Sequence, residues 1–344
     1  MSSSSTITGG VTNNNVSTAS TLAGAILKNT SLVATKADTK ALVLGDDALQ
    51  QNKGVVALSN ENNTALVLNT STAATLLGGA GNNNVLVAND AAGTVLQAGT
   101  GTGQTLIGGS GGQLLGTSTV AGASATIFGG SGADTVVAAA GNNVLTAGAG
   151  NNQIHAIGGN NQIFAAGNDT VFAAGGNATI GAGTGNAQLL ITGGNNLIAG
   201  GQGNTTIASA AGNNTIFGGS GNTTIAGGAG NDLLIGSTAK SGKAVIGGFD
   251  GNDTIIGGVG NDTLFGGAGN DIFVFSTVFG GGKHVIGDFK AGTDLIAVQG
   301  YGLTAAQVAS RVTVAGGNSV LSLSDGTQIT VAGVTNLTAS NFAV

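Results

Sequence analysis

The sequence predicts an all-β fold, a right-handed parallel β-roll or β-solenoid wound from glycine-rich nonapeptide repeats and closed by a C-terminal β cap. Three observations predict it. Glycines recur at nine-residue steps through Gly132, Gly141, Gly150 and Gly159. After one step of eight they continue through Gly167, Gly176, Gly185, Gly194, Gly203, Gly212, Gly221 and Gly230, and they resume at Gly251, Gly260 and Gly269. Each step encloses a short apolar-centred segment such as Thr215-Ile216-Phe217 or Thr224-Ile225-Ala226. The composition is also extreme, with 66 Gly, no Pro, no Cys and 7% charged residues in 344, where an ordinary globular domain is roughly a quarter charged and about 7% glycine.

Each element follows from the period. Nine residues cannot hold a helix and its connections, and glycine is costly inside a helix, so each unit reads as a tight turn and a three- or four-residue strand. Two units make one coil, which places residue i above residue i+18 and stacks the strands into two parallel sheets around a thin core of single Ile, Val, Leu or Phe side chains. Glycines at 81, 93, 103, 111 and 122 repeat the punctuation with looser spacing.

The composition also excludes classes. Collagen needs abundant proline and a disulfide scaffold needs cysteine, and both are absent. At 41% hydrophobic the chain can bury apolar surface, which disordered segments cannot. No apolar run approaches the roughly 20 residues of a membrane helix. The opening Met1-Ser2-Ser3-Ser4-Ser5-Thr6 lacks the basic and apolar regions of a Sec signal, so export would take another route. A net charge of −6 argues against nucleic acid as a partner.

Several units read G-G-x-G-x-D: Gly129 to Val137, Gly227 to Ile235, Gly257 to Phe265 and Gly266 to Val274. On these the chain resembles the RTX (repeats-in-toxin) family, whose units form calcium-binding parallel β-rolls. The resemblance is firm over about residues 227 to 344 and partial over 78 to 226. It implies Ca2+ as the cofactor, because a glycine turn exposes carbonyls, its Asp adds a carboxylate, and calcium takes about six to eight oxygens. The candidate ligands are the turn residues Gly227, Gly230, Asp232, Gly248, Asp250, Gly251, Asp253, Gly257, Gly260, Asp262, Gly266, Gly269 and Asp271, with Asp288 and the isolated Asp134. Asp253 and Asp271 lie 18 apart, one coil. Asp232 and Asp253 lie 21 apart, one coil plus a three-residue insertion in the Ser237 to Lys243 loop, and share that edge. Asp262 falls on the opposite edge.

The pattern departs from the family through the middle of the chain. At the Asp position stand Asn143, Asn152, Asn161, Ala178, Ala187, Asn196, Thr205, Asn214 and Thr223, with only Asp169 between Asp134 and Asp232. Stacked Asn side chains are expected to form hydrogen-bond ladders there instead of cages. The expected organisation is a Ser/Thr/Asn-rich cap or assembly segment over 1–75, a largely calcium-free solenoid over 76–226, a calcium-binding roll over 227–290, and a cap with a secretion signal over 291–344. In the first segment, the apolar runs Val55 to Leu58 and Ala65 to Leu68 around Asn60-Glu61-Asn62-Asn63 suggest a hairpin or irregular cap. In the last, Ser319 to Val334 suggests a hairpin turning at Asp325-Gly326, and Leu337 to Val344 is similar to the C-terminal signals of type I secretion substrates.

No enzymatic activity is expected. His155 and His284 are the only histidines and cysteine is missing, so zinc and thiol chemistry lack raw material. His155 reads as a plain strand residue. No P-loop Lys-Ser/Thr follows any glycine pair, and the family's proteases and lipases carry a catalytic domain ahead of the roll, where this chain begins its repeats by about residue 78. The functional expectation is a secreted, calcium-dependent structural protein that associates with copies of itself into a bacterial surface layer or matrix filament, exported by type I machinery. The alternatives are an adhesive module or a monomeric ice-binding one. For ice, Thr206, Thr215, Thr224, Thr254 and Thr263 supply hydroxyls, but Gln188, Leu197 and Leu233 interrupt the row.

Overall fold

The computed structural model describes residues 40–44, 55–57, 62–68 and 71–344. The chain divides into two compact units between Asn168 and Asp169. Both are parallel β-solenoids in which successive strands alternate between two sheets.

In the first unit the strand Thr135–Ala138 pairs with Gln153–Ala156 in register Thr135 to Gln153, and Val144–Gly148 pairs with Gln162–Ala165 in register Val144 to Gln162. Both steps are the 18 residues that the glycine period demands. Side chains alternate across a strand, so two positions per strand point inward. One carries a large aliphatic group, at Ile127, Val136, Leu145, Ile154 and Ile163, all fully buried. The other carries alanine, at Ala138, Ala147, Ala156 and Ala165. One bulky layer and one alanine layer let the two sheets close to a thin core. Each fully buried aliphatic side chain contributes about 1.5–3 kcal/mol.

The early coils are wider, and they begin sooner than the sequence indicates. Lys40 pairs with Thr64, Ala65 with Val85, and Val85 with Thr105, so the register step falls from 24 to 20 before reaching 18. The apolar runs expected as a hairpin are strands of different sheets. Val55–Ala57 pairs in parallel with Thr75–Leu77, and Thr64–Leu68 pairs in parallel with Lys40–Leu44 and with Val85–Val87. Two apolar runs flanking an Asn-rich turn look the same in a coil as in a hairpin, and strand direction leaves no mark on the alternation. Residues 1–39, 45–54, 58–61 and 69–70 of the expected 1–75 cap, among them Asn60 and Glu61 of that turn, lie outside the described residues.

In the second unit the three-residue insertion is absorbed as expected, with Leu233 pairing with Thr254 across 21 residues and Thr254 with Ile272 across 18. The coils end in a cap. Asp288 accepts hydrogen bonds from the Gly266 and Gly267 amides, both at 2.9 Å, and Lys290 Nζ donates to the Gly267 carbonyl. Phe289 packs on Phe273 with ring centroids 6.3 Å apart. A short helix, Ala305–Ala309, starts from a Thr304/Gln307 capping box. Val312–Ala315, Asn318–Ser322 and Gln328–Val331 form an antiparallel sheet extension, with the last two joined through the predicted turn at Asp325-Gly326. The tail is structural: Phe342–Ala343 pairs with Leu295–Gln299, and Phe342 is buried.

Candidate metal centre

The residue before each repeat strand is buried whether it is Asn or Asp, at 3% exposure for Asn196, 2% for Asn214, 3% for Asp232, 1% for Asp253 and 0% for Asp271. Burial of so polar a residue requires partners. One oxygen always has one. Along one edge of the second unit the backbone N–H of each member donates to Oδ1 of the member one coil on. The chain runs Ala178 to Asn196 (2.8 Å), Asn196 to Asn214 (3.1 Å), Asn214 to Asp232 (2.6 Å), Asp232 to Asp253 (2.8 Å), Asp253 to Asp271 (2.9 Å) and Asp271 to Asp294 (3.2 Å). The first unit repeats the pattern, with Asn143 N–H on Asn161 Oδ1 at 3.1 Å and Asp134 N–H on Asn152 Oδ1 at 2.9 Å. A second ladder of exposed Asn runs in the opposite sense, where the N–H groups of Asn195, Asn213, Asn231, Asn252 and Asn270 each donate back to the Asn one coil earlier. These are the amide ladders that the Asn-rich pattern predicts.

The two turn types part at the second side-chain atom. In Asn turns it is an NH2 that closes the turn: Asn196 Nδ2 donates to the Gly193 and Gly194 carbonyls at 3.1 and 2.9 Å, and Asn143 Nδ2 to those of Ala140 and Gly141, both at 3.0 Å. In Asp turns it is an oxygen with nothing to accept. Oδ2 of Asp134, Asp232, Asp253, Asp262 and Asp271 is buried without a hydrogen bond. An unsatisfied buried acceptor costs about 1–3 kcal/mol. The same burial holds four of them, Asp134, Asp232, Asp253 and Asp271, above the usual range. Asp253 is pushed to about 7, with the neighbouring charges of Asp232 and Asp271 adding to burial, and Asp134 to about 6. Asp232 and Asp271 move in the same direction for the same leading reason.

The orphaned oxygens lie in glycine cradles. A Cβ at Gly227, Gly248 or Gly266 would run into Oδ2 of Asp232, Asp253 or Asp271, the carboxylate of its own turn, and one at Gly129 would crowd Asp134 Oδ2. The carbonyl of the next coil's first glycine borders two of these cradles, Gly248 O that of Gly227 and Gly266 O that of Gly248. Among the described residues no three His, Cys, Asp or Glu side chains converge. A bound ion would therefore take most of its ligands from backbone carbonyls, with a carboxylate oxygen from the Asp of the turn. That all-oxygen set suits a hard cation with many ligands, and a resident cation would satisfy the orphaned Oδ2 atoms.

The remaining predicted residues fall into distinct places. Gly230, Gly251 and Gly269 stack in one column, and a Cβ at Gly251 would strike the Gly230 carbonyl, so the coil spacing itself demands glycine there. Gly260 stacks likewise on Gly242. Asp250 is exposed and lends its backbone carbonyl to Gly230 N–H at 2.8 Å. Asp288, expected as a ligand, accepts one glycine amide on each carboxylate oxygen, from Gly266 and Gly267. Asp262 sits on the opposite edge, where its Oδ1 accepts from Ala244 N–H at 2.7 Å and its Oδ2 lies 3.2 Å from His284 Nδ1. Next to that pair, a Cβ at Gly257 would stand 2.8 Å from His284 Nδ1. Asp294 was missing from the predicted set. It is 2% exposed, extends the ladder beyond Asp271, and its Oδ2 accepts from Lys290 N–H at 2.8 Å. Its signal was the Gly292-Thr293-Asp294 turn, disguised by a 23-residue step.

Fold and turns together define a parallel β-roll protein with cation-binding turns. The repeat is the RTX calcium-binding nonapeptide, whose family model (4 copies) matches residues 128–164, 165–189, 191–225, 217–238 and 247–276. The chain thus carries RTX repeats, and such repeats bind Ca2+. Among solved structures, it is similar to the AlgE6R3 subunit of the Azotobacter vinelandii mannuronan C5-epimerase, at 24% identity over 36% of this chain and 78% of that one, with a TM-score of 0.28. It is also similar to the extracellular lipase LipA from Serratia marcescens, at 20% identity over 46% of this chain and 40% of that one, with a TM-score of 0.23. No curated protein matches the chain. No helix among the described residues is long and apolar enough to cross a membrane.

Proposed function

We propose that the chain is a secreted structural protein that calcium locks into shape outside the cell, and that its copies then associate into a surface layer or matrix filament. One observation carries the reading: from residue 91 to residue 231, Asp134 and Asp169 are the only Asp, Glu, Lys or Arg. Natural sheet proteins use charge to keep their surfaces apart. Here the outward strand positions are threonines, glutamines such as Gln153, Gln162 and Gln188, and apolar groups, including the exposed Phe164, Leu190, Leu197 and Phe217. Both buried carboxylates point inward, so the surface of this stretch offers no fixed charge to oppose a second copy. Export by type I machinery fits the RTX repeats, whose low-calcium form would travel loosely folded and lock at the millimolar affinities of extracellular modules.

Electron microscopy and light scattering of the purified chain, with calcium and with chelator, test the reading. Ordered polymers are expected in calcium, and Phe217→Asp combined with Leu190→Asp should dissolve them while calcium binding is retained. A chain that stays monomeric at high concentration in calcium overturns it. An ice-binding monomer is less favoured, because the candidate threonines divide between the sheets. Thr206, Thr224 and Thr263 fall on one, and Thr215 and Thr254 on the other.

A further inference from the structure

We propose that His284 takes the place of a calcium ion at the Asp262 turn, so that the ion-binding column of the second unit is confined to one edge of the roll. The inference rests on the calcium reading of the Asp turns and concerns which of them the ion enters.

Register identifies His284 as a member of the turn column. Thr263 pairs with Val285, so the residue preceding each of them, Asp262 and then His284, occupies the same position one coil apart. On the opposite edge the corresponding series is Asp232, Asp253, Asp271 and Asp294, each stacked on the next through an N–H to Oδ1 bond. Each of the Asp232, Asp253 and Asp271 turns there therefore has a carboxylate of the next coil beside it. Asp262 has no such neighbour, since the member one coil before it is Ala244, which donates its N–H to Asp262 Oδ1, and the member after it is His284.

The imidazole also fills the space. His284 is 1% exposed and Asp262 likewise 1%. The ring lies between Gly257, where a Cβ would stand 2.8 Å from Nδ1, and Gly282, where one would stand 3.3 Å from Cε1. Phe275 packs against it at a centroid distance of 5.1 Å. Nε2 meets the Gly281 carbonyl at 3.1 Å, and Nδ1 stands 3.2 Å from Asp262 Oδ2, within ion-pair distance though neither of these two atoms makes a hydrogen bond. Oδ2 of Asp253 and of Asp271 likewise lacks a hydrogen bond, and among the described residues neither has a side-chain nitrogen within ion-pair distance. A carboxylate oxygen and a glycine carbonyl are the ligand types calcium would gather, and at this turn one side chain meets both. The column on this edge therefore closes with protein atoms at the coil where the cap begins.

Calcium stoichiometry of the full-length chain, measured by equilibrium dialysis and by calorimetry, tests the assignment, with circular dichroism in calcium confirming that each variant folds. Asp253→Asn should lose bound ion relative to wild type, whereas Asp262→Asn should bind the wild-type number. His284→Asp, which restores the carboxylate at that register position, should gain one ion. Loss of an ion in Asp262→Asn, or an unchanged number in folded His284→Asp, overturns the proposal. If Asp253→Asn binds as many ions as wild type, the calcium reading of the Asp column fails, which is a separate result. Should His284→Asp not fold, the comparison of Asp262→Asn with Asp253→Asn decides alone.

Discussion

The Asn turns up to Asn214 and the Asp turns from Asp232 onward share a backbone, a strand register and an Oδ1 ladder, yet they complete the turn in different ways. In the Asn196 turn the side-chain NH2 binds two carbonyls of its own loop. In the Asp253 turn the equivalent atom is an oxygen, buried and without a hydrogen bond. The Asn turns are closed by protein atoms, whereas the Asp232, Asp253 and Asp271 turns each leave one buried oxygen without a hydrogen bond. One nitrogen-for-oxygen exchange per coil separates a turn satisfied by its own loop from a turn with an orphaned buried acceptor.

Removing calcium should produce the largest effect, and it should be local. Under chelator, hydrogen exchange is expected to accelerate across residues 232–299, while amides in the Asn coils, such as Ile198 and Ile216, stay protected. An ion present at about 100 times its Kd stabilises by roughly 2.7 kcal/mol per site, so several sites amount to most of the stability of an ordinary domain. Uniform loss of protection through both stretches would erase the distinction.

Exchanging the two side chains is the direct test. Asp253→Asn keeps the Oδ1 acceptor and supplies an NH2 in place of the orphan, so in chelator the variant should be more stable than wild type by about 1–3 kcal/mol, the cost of an unsatisfied buried group. In calcium it should be less stable. Asn196→Asp should do the reverse, weakening the Asn coils unless calcium is present. Denaturant unfolding with and without calcium reads both, and equal responses of the two variants would show that the second atom does not decide.

The dependence on pH follows from the raised carboxyls. Asp253 keeps its proton up to about 7 when folded, because burial and its acidic neighbours disfavour the charge, whereas the unfolded group titrates near 4. Between those values the folded state holds the extra proton, so stability without calcium should fall as pH rises from about 4 to about 7. Calcium competes with that proton, so its affinity should rise through the same window. Unfolding midpoints at pH 5 and pH 8 in chelator check the sign, and Asp253→Asn should flatten the slope.

Much of this was legible in the sequence because it resides in periods. The nine-residue step fixed the coils, and 21 read as 18 plus 3 placed Asp232 and Asp253 on one edge. The Asn series foretold the ladders. What escaped lacks a period or a distinctive residue type. The early coils step by 19 to 24 residues and carry no G-G-x-G-x-D, so Val55 and Ala65 read as a hairpin. His284 lies 22 residues from Asp262, outside any 18-residue count, and register alone exposes the pairing.

The smallest effect concerns a turn where the pattern is broken. Phe249 pairs with Gly228 on one side and Gly267 on the other, and it adopts their left-handed backbone, at φ 79° beside 95° and 101°. For a residue with a Cβ that region costs roughly 1–2 kcal/mol. Little packing offsets it, since Phe249 is 56% exposed. Its ring covers Gly247, where a Cβ would approach Cε2 to 3.0 Å, and this contact lies at the surface. Phe249→Gly should therefore raise stability by about 1 kcal/mol or less, after the greater freedom of glycine in the unfolded chain is subtracted. The gain should appear equally with and without calcium, because the Asp253 carboxylate and its ladder partners are untouched. A loss of stability confined to calcium-containing solution would instead tie Phe249 to the ion-bound turn, and a loss of polymer order without a change in stability would place its ring at the contact between copies.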